Sequence, residues 1–409
     1  MPVAFALIGA SAAAVASLGL PMILSLVEIA SGANSTTLLA IPLFIFAGEI
    51  MLRGGISARI IAFASALVGH MRGGLGQVNV VASTLFGGVS GSAIADVSAI
   101  GGTMIPQMVQ RGFDRDFAVH VAITSALVAL LVPPSHNLIL YSAAAGGGIS
   151  IADLFAAGMV PAALLMLAVM ATTWVVARKR GHVAEPFPGM QQVLLRFVSA
   201  LPGLLLIGLI LGGIRAGIFT AVESAAIAVV YALLLAAFVY RELNWRGFVA
   251  LCANAAQTTG AILFVIAASG AFGWTLAYLE VPVATVALLQ SIAHEPYTIL
   301  LLIVLSLLIL GTFMDMAPMI IICTPIFLPV AKAYGIDPIH FGIILILTAG
   351  IGLITPPVGS VLFVGVAIGK ITVGEAVCTI WPFYLAASVV VLLVVFFPAL
   401  SLWLPTALR

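Results

Sequence analysis

The sequence predicts an all-α polytopic membrane protein, and three observations favour this fold class. First, 63% of the 409 residues are hydrophobic and 7% are charged, with a mean hydropathy of +1.29. A water-facing surface needs roughly a quarter of charged residues, so a soluble domain is excluded. Second, long apolar runs are continuous, whereas the strands of an outer-membrane barrel alternate. Third, the second half of the chain repeats landmarks of the first. The runs span residues 151–177, 198–213, 218–240 and 379–405.

The remaining composition excludes several other classes of protein. Cys252, Cys323 and Cys378 lie in apolar stretches without paired spacing, so neither disulfides nor a Cys/His metal site is expected. No basic segment precedes the first apolar run, so a removable signal peptide is not expected. The net charge of +1 says nothing about acidic partners, and we expect neither a cofactor nor a nucleic-acid partner.

The basic residues orient the predicted helices. Counting spans from the cluster at 178–180 puts twelve Lys and Arg on one side of the membrane and three on the other, and the richer side is the cytoplasmic one. The cytoplasmic set is Arg53, Arg59, Arg72, Arg111, Arg115, Arg178, Lys179, Arg180, Arg196, Arg241, Arg246 and Lys370, and the outer set is Arg215, Lys332 and Arg409.

Four landmarks recur in the same order, with an offset of 219–223 residues between the halves. Such a repetition indicates two copies of one structural unit. The pairs are Thr36-Thr37 with Gly48 and Thr258-Thr259 with Gly270; Asp96 with Pro106 and Asp315 with Pro325; Asp114 and Asp337; and Pro133-Pro134 and Pro356-Pro357.

The charge topology gives the two copies opposite orientations. Each copy contains a hydrophobic hairpin too short for two full spans, which we expect to enter the membrane and return. Inverted repeats with such hairpins are typical of secondary transporters that bind their substrate near the midplane. The first repeat has no counterpart of the span at 198–213, so either an apolar helix lies upstream of residues 2–20 or this chain lacks that helix. The first repeat is 1–196, with hairpin 74–110 and broken helix 116–146; the second is 197–409, with hairpin 297–334 and broken helix 338–370.

Four helix interruptions carry the candidate chemistry. Proline cannot donate to a helix ladder, and freed backbone groups within a membrane are tolerated only where they line protein or a cavity. Hydroxyls, carboxylates and carbonyls suit an alkali cation, and the N-termini of half-helices suit a substrate carboxylate. We therefore hypothesise two sodium sites of similar make, one at Asp96 and one at Asp315. The interruptions are 90–96, 132–137, 311–318 and 352–360, and their oxygen ligands are Ser90, Ser92, Asp96, Ser135, Thr312, Asp315, Thr355 and Ser360.

A structural interpretation stands beside this hypothesis. Ser and Thr hydroxyls often bond to their own helix, and an aspartate can cap a half-helix instead of binding an ion.

Two further expectations concern groups outside the interruptions. Glu49 is expected to pair with Arg53 at helical spacing. Five histidines, which are His70, His120, His182, His294 and His340, are expected at wetted span ends.

At these same motifs the sequence resembles the large membrane subunit of TRAP transporters, the tripartite ATP-independent periplasmic uptake systems. The resemblance implies an elevator mechanism, in which a transport domain of hairpins and broken helices slides against a scaffold of the remaining helices. It also implies sodium coupling, a multi-pass bacterial inner-membrane location, a separate four-helix membrane subunit and a periplasmic substrate-binding protein. The matching stretches are AIPLFIFAGEIM (40–51), SGSAIADVSAIGG (90–102), GIFTAVESAAIAVVYALLL (217–235), GTFMDMAPMIIICTPIFLP (311–329), GIDPIHFGI (335–343) and GLITPPVGSVLFV (352–364).

The resemblance also implies site residues. The first sodium site would draw on Ser90, Gly91, Ser92, Asp96 and Ser135; the second would draw on Gly311, Thr312, Asp315, Gly352, Thr355 and Gly359; and a carboxylate substrate would lie near Asn137, Ala317 and Pro318. The chain departs from the family pattern at His136, where a small or apolar residue is more usual, and at FTAVES (219–224) in place of FTPTEA.

Parts of the sequence are also compatible with two other functions. Gly88-Val89-Ser90-Gly91 matches the short GxSG pattern of rhomboid intramembrane serine proteases, with His136 as a possible base. Three fixed residues are a weak signal in a chain rich in glycine and serine, and a protease leaves the repetition unexplained, so an enzyme is not expected. The other alternative is a stand-alone sodium/carboxylate symporter of the related ion-transporter superfamily.

Overall fold

A computed structural model of the chain describes residues 2–34, 36–182, 184, 186–292 and 294–408, without the side chains of Pro2, Thr37, Val89 and Ser90. Every regular element in these ranges is a helix. Five helices are long and apolar enough to cross a membrane, or up to nine if each of four bent pairs forms one span. The prediction of an all-helical chain is confirmed.

The described residues of the first half form ten α-helices, with one π segment and two 3₁₀ turns between them. They are α1 (Pro2–Ser17), α2 (Ile23–Ala33), a 3₁₀ turn (Thr36–Leu39), α3 (Ala40–Arg53), α4 (Ile56–Val68), α5 (Gly74–Ser90), α6 (Ala93–Asp96), a π segment (Val97–Gly101), α7 (Gly102–Gln110), α8 (Arg115–Ser125), a 3₁₀ turn (Val128–Leu130), α9 (His136–Ala144) and α10 (Ile151–Lys179).

The second half contains eleven α-helices in its described residues. They are α11 (Met190–Arg215), α12 (Ala221–Leu234), a π segment (Leu235–Val239), α13 (Trp245–Tyr278), α14 (Val281–Ile292), α15 (Pro296–Gly311), α16 (Met316–Ala333), α17 (Pro338–Leu353), α18 (Ser360–Gly369), α19 (Val373–Thr379), α20 (Trp381–Phe396) and α21 (Ala399–Ala407).

One predicted span differs from the observed structure. The run at 379–405 is not a single straight helix, because α20 and α21 meet at an angle of 62°. Pro398 lies at the bend, and a proline lacks the N–H that would continue the hydrogen-bond ladder. The composition predicts how long this apolar run is, but it does not predict that the run bends.

Helices α8 and α17 form the centre of the core. Every residue of α17 from His340 to Leu353 is buried, and so is every residue of α8 from Phe117 to Ser125. By contrast, only 28% of the most apolar stretch of α11 is buried within the chain. Helices α8 and α17 are therefore held by contacts with the rest of the chain, whereas α11 presents an apolar surface suited to lipid.

The expectation for two histidines is wrong. His120 and His340 are 1% and 2% exposed. The Nε2 atom of His120 lies 2.8 Å from the carbonyl oxygen of Ala376, and Nδ1 of His340 lies 2.7 Å from the Ser401 hydroxyl. Both partners come from distant helices, α19 and α21, so the burial follows from packing that local hydropathy does not reveal.

Arg180 fixes the end of α10 against the start of α8. Its guanidinium donates to Asp114 at 2.9 Å and to Asp116 at 2.7 Å. The hydrogen bonds with Asp116, together with those to Asp114, raise the pKa of the Arg180 guanidinium, so this clamp stays charged over the whole physiological pH range.

Helix pairs α8/α9 and α17/α18 are each separated by a non-helical break that contains a cis proline pair, Pro133-Pro134 and Pro356-Pro357. In the second break the carbonyl of Ile354, directly after α17, has no helical partner. The Tyr384 hydroxyl of α20 donates to this oxygen at 2.6 Å. A side chain from the core thus satisfies a backbone group that the break releases.

We expect Tyr384→Phe to lower the free energy of unfolding by about 1–3 kcal/mol, because it leaves a buried carbonyl without a donor. Thermal unfolding of the purified protein measures this change. Tyr278→Phe is the control, since Tyr278 is 52% exposed on α13 and its loss should leave the unfolding midpoint unchanged. Equal midpoints for wild type and Tyr384→Phe would contradict the role given to this hydroxyl.

Candidate substrate and cation site

A cavity of about 550 Å³ lies where the helix interruptions meet. Part of its lining comes from α3 and α13, and another part comes from the turn before α6, the start of α9 and the start of α16. Segments far apart in the sequence therefore share one concave surface, which is the usual setting of a small-molecule site. Its polar lining residues are Glu49, Ser92, Ser98, His136, Asn137, Gln257, Thr258 and Asp315.

The turn before α6, which is the tip of the first hairpin, is held against the start of α9. Gly91 ends α5 with φ of +57°, a left-handed conformation that favours glycine. A Cβ on Gly91 would lie 2.8 Å from Nδ1 of His136, so no larger residue fits there. Asn137 donates from Nδ2 to the carbonyl of Gly91 at 2.7 Å. The tip of the first hairpin and the α8/α9 break therefore form one unit.

The hydroxyls of this unit have local partners. Ser92 accepts a hydrogen bond from the backbone N–H of Ala95 at 3.3 Å, as an N-cap does. Ser135 donates to the carbonyl of Leu130 at 2.6 Å. A hydroxyl that donates a hydrogen bond keeps its oxygen lone pairs available for a cation. These bonds therefore agree with a sodium site and equally with a purely structural role of the hydroxyls. The Ser90 side chain lies outside the described part of the structure.

Asp96 is fully buried one turn into the helix that follows, and it does not line the cavity. Neither of its carboxylate oxygens accepts a hydrogen bond within the described residues. Ser83 of α5 is close enough to interact with the carboxylate, although the geometry is not that of a hydrogen bond. An ionised carboxylate in this position is costly unless a cation joins it.

Sequence reasoning missed the polar side chains around this position. Ser83 lies within 3.4 Å of the Ser125 hydroxyl, which in turn lies 2.5 Å from Nδ2 of Asn79. The Oδ1 atom of Asn79 is buried without a hydrogen-bond donor among the described residues. Buried polar groups are normally satisfied, so the unpaired oxygens of Asp96 and Asn79 fit the cation site predicted at Asp96. The polar residues inside the apolar helix α5 were the available signal.

The turn before α16, which is the tip of the second hairpin, contacts the α17/α18 break in the same manner. The backbone N–H of Val358 donates to the carbonyl of Thr312 at 3.0 Å, and the Ser360 hydroxyl donates to Asp315 Oδ1 at 3.1 Å. Gly311 and Gly352 touch through their backbones, since a Cβ on Gly352 would lie 2.6 Å from the carbonyl carbon of Gly311. The break and the hairpin tip are thus in direct contact.

The remaining predicted ligands lie within the same contact. Thr312 donates its hydroxyl to the Ile309 carbonyl at 2.8 Å, and Thr355 donates to the Ile351 carbonyl at 2.7 Å. Gly359, with φ of +32°, lies against the carbonyl of Thr355. All six residues predicted for the second sodium site therefore lie at one junction, which is that between the tip before α16 and the break after α17.

The two aspartates do not occupy equivalent positions, because Asp96 lies within a helix and Asp315 directly precedes one. Asp315 directly precedes α16, as Ser92 directly precedes α6, and these two residues are 223 apart. The same spacing from Asp96 reaches Met319. In the sequence, Asp96 and Asp315 correspond because both are aspartates that precede a proline by ten residues. In the structure, Asp315 corresponds to Ser92, because each directly precedes the start of a helix. Asp315 is exposed and lines the cavity, whereas Asp96 is buried and does not line it.

The predicted substrate residues divide into two groups. Asn137 and Ala317 line the cavity, but Pro318 does not. Pro318 is buried within the first turn of α16, because successive helical residues point about 100° apart. Sequence proximity to Asp315 was therefore an insufficient guide to which side chains reach the cavity.

The cavity lining has an unusual charge for a site expected to take an anion. It contains Glu49 and Asp315, and its described lining residues include no lysine or arginine. Glu49 is paired with Arg53 at 3.9 Å, as predicted from their spacing. The positive ends of α9 and α16 face the cavity through His136, Asn137 and Ala317. A carboxylate would therefore be bound by helix N-termini and a cation instead of by a guanidinium.

Comparisons with known proteins agree with this architecture. A profile of the tripartite ATP-independent periplasmic transporter, DctM component, matches residues 1–400. The chain is 36% identical to the 2,3-diketo-L-gulonate TRAP transporter large permease protein YiaN of Escherichia coli, over 90% of this chain and 87% of that one. It is also 36% identical to the C4-dicarboxylate TRAP transporter large permease protein DctM of Rhodobacter capsulatus, over 92% and 89%.

The fold is shared with a solved transporter of low sequence similarity. The YdaH transporter of Alcanivorax borkumensis superimposes with a TM-score of 0.67 at 14% identity, over 93% of this chain and 88% of that one. At this identity the likeness concerns the fold alone.

Proposed function

We propose, because this chain belongs to the DctM component family of tripartite ATP-independent periplasmic (TRAP) transporters, that it imports a carboxylate-bearing small metabolite with sodium as the coupling ion. Family membership makes it the large permease component, a multi-pass membrane protein that works with a small membrane subunit and a periplasmic binding protein. A permease of this kind is not an enzyme. We place it in the bacterial inner membrane, with the four-helix subunit as a separate chain.

The observation that carries the sodium proposal is the pair of carboxylates at the hairpin tips. Asp96 is buried without a partner among the described residues, and Asp315 lies in the cavity beside Ser360. A monovalent cation at Asp96 would offset the desolvation cost of that buried carboxylate, and a cation at Asp315 would be attracted by the carboxylate charge at the cavity surface. The first site would use Ser90, Gly91, Ser92, Asp96 and Ser135, together with the newly identified Ser83, and the second would use Gly311, Thr312, Asp315, Gly352, Thr355 and Gly359.

The carboxylate proposal is supported by the N-termini of α9 and α16, with Asn137 and Ala317 nearest the anion. Relatives take different acids: one is named for 2,3-diketo-L-gulonate and another for C4-dicarboxylates. Carboxylate groups are the chemistry that these two substrates share. In the proposed arrangement a sodium ion at Asp315 converts a repulsive wall into one that accepts the anion.

We further propose that the hairpins and broken helices form a transport domain that moves against the other helices as an elevator. Two inverted repeats, 1–196 and 197–409, would supply one hairpin and one broken helix each. The contacts of Asn137 with Gly91, and of Val358 with Thr312, support this division, because each ties a hairpin tip to a broken helix. A rigid unit of that kind could carry the cavity without opening it to lipid.

Uptake by proteoliposomes that contain both membrane subunits tests this function. The periplasmic binding protein and a panel of radiolabelled carboxylic acids are supplied outside. We expect one acid to accumulate under an inward sodium gradient and not under an equal potassium gradient. Accumulation that is driven by protons and indifferent to sodium would contradict sodium coupling. Uptake that needs no binding protein would instead favour a stand-alone symporter.

A further inference from the structure

A second pocket, of about 350 Å³, lies away from the substrate cavity. It is formed where α4 ends, where α5 begins, where α7 ends and where α11 begins. These elements meet on the side that the basic residues identify as cytoplasmic. Its lining residues are Ala62, Ser65, Ala66, Gly69, His70, Leu75, Arg111, Pro186, Pro188, Gln192 and Arg196.

The polar lining of this pocket is dominated by hydrogen-bond donors. Arg111 and Arg196 contribute guanidinium groups, and Gln192 adds an amide. Nδ1 of His70 is buried and has no hydrogen-bond partner among the described residues. Acidic side chains are absent from the lining residues that the structure describes. A concave surface with this composition is complementary to an anion that has several acceptor oxygens, such as a phosphate ester.

The surroundings of the pocket are apolar and open. Met190 and Leu194, on the first turns of α11, are 71% and 60% exposed. Leu67 of α4 and Phe187 of the preceding segment are also exposed, and the Phe187 ring packs edge-on against His70 with centroids 4.9 Å apart. A free anion in water would gain nothing from these side chains. An amphiphile, whose headgroup enters the pocket while its chains cover the apolar rim, would contact both.

We propose that this pocket binds the phosphate headgroup of an anionic phospholipid from the cytoplasmic leaflet. Arg196 lies one and a half turns into α11, where an arginine extends its guanidinium toward the headgroup region while its methylenes stay among acyl chains. Arg196 and Gln192 are also one helical turn apart and therefore face the same way. The headgroup would join the base of the first hairpin to α4 and α11.

Lipid retention by the purified complex of both membrane subunits tests this site. Native mass spectrometry after mixing with equimolar phosphatidylglycerol and phosphatidylcholine counts the bound lipids of each kind. The test variant is Arg196→Gln, and the control is Arg246→Gln, an exposed arginine on the same side at the start of α13. We expect preferential retention of phosphatidylglycerol by the wild type. We expect a loss of about fivefold in its apparent affinity for Arg196→Gln and no change for Arg246→Gln.

A conservative variant and a competitor keep the outcome decisive. Arg196→Lys retains the positive charge and should retain most of the lipid selectivity. If Arg196 had only a structural role, Arg196→Gln and Arg196→Lys would both lower the thermal midpoint, and neither would change the lipid selectivity. Inorganic phosphate at 10 mM is the competing free anion, and we expect it to leave lipid retention unchanged. Displacement of the lipid by phosphate, or equal losses in Arg196→Gln and Arg246→Gln, would overturn the proposal.

Discussion

Replacing Asp315 with asparagine should abolish sodium-driven uptake while leaving the protein folded. Asparagine keeps the shape of the side chain and caps a helix N-terminus as well as aspartate does, so α16 should form normally. What disappears is the negative charge that attracts a cation at the cavity surface, where Asp315 is exposed. At about 4 Å and an effective dielectric constant of about 20, this attraction amounts to about 4 kcal/mol before the cost of desolvation, so we expect sodium affinity to fall by at least about tenfold.

The matched control for this variant is Asp337→Asn. Asp337 precedes α17 and accepts the backbone N–H of Ile339 at 2.7 Å, so it caps its helix away from the cavity. Sodium-driven uptake in proteoliposomes should be preserved in this variant and lost in Asp315→Asn. If Asp315→Asn transports at the wild-type rate with unchanged dependence on sodium concentration, the Asp315 carboxylate is not a sodium ligand.

Replacing Gly352 with alanine should remove uptake through sterics alone. The new Cβ would lie 2.6 Å from two backbone carbons of Gly311 and 2.9 Å from its carbonyl oxygen. Backbone atoms cannot rotate away as a side chain can, so α17 and the tip of the second hairpin must separate. Overpacking of this kind typically costs about 1–3 kcal/mol, and here it falls on the junction that holds the second predicted cation site.

Gly208→Ala provides the control for this substitution. Gly208 lies in the middle of α11, and a Cβ there would have nothing within 4 Å. The same chemical change should therefore stabilise the helix slightly and leave uptake intact. We expect Gly352→Ala to lower both the thermal midpoint and the sodium-dependent uptake. Wild-type behaviour of Gly352→Ala would show that the two backbones are not in functional contact.

Local chemistry determined the features that the sequence could predict. The apolar composition fixed the helical class, and glycine and proline pairs located the breaks, because their backbone constraints act within a few residues. The pairing of Glu49 with Arg53 likewise depends only on helical spacing. The helix bounds around Gly91 and Pro356 follow from the same constraints.

Long-range packing determined what the sequence could not predict. His120 and His340 are buried because α19 and α21 fold back over the core. Ser83 was overlooked because the polar residues of α5 indicate a buried polar contact without revealing that its partners lie on α8 and beside Asp96. Asp96 was matched to Asp315 by residue type, although helix starts relate Asp315 to Ser92. Each miss concerns a contact between segments that are far apart in the chain.

Binding of radioactive sodium to the purified complex tests the central claim most directly. The claim is that each carboxylate beside the cavity holds one coupling ion. The wild type should bind sodium saturably, and Asp96→Asn and Asp315→Asn should each lose about half of the bound ions, while Asp337→Asn retains all of them. Full sodium binding by both Asp96→Asn and Asp315→Asn would show that neither carboxylate holds the coupling ion.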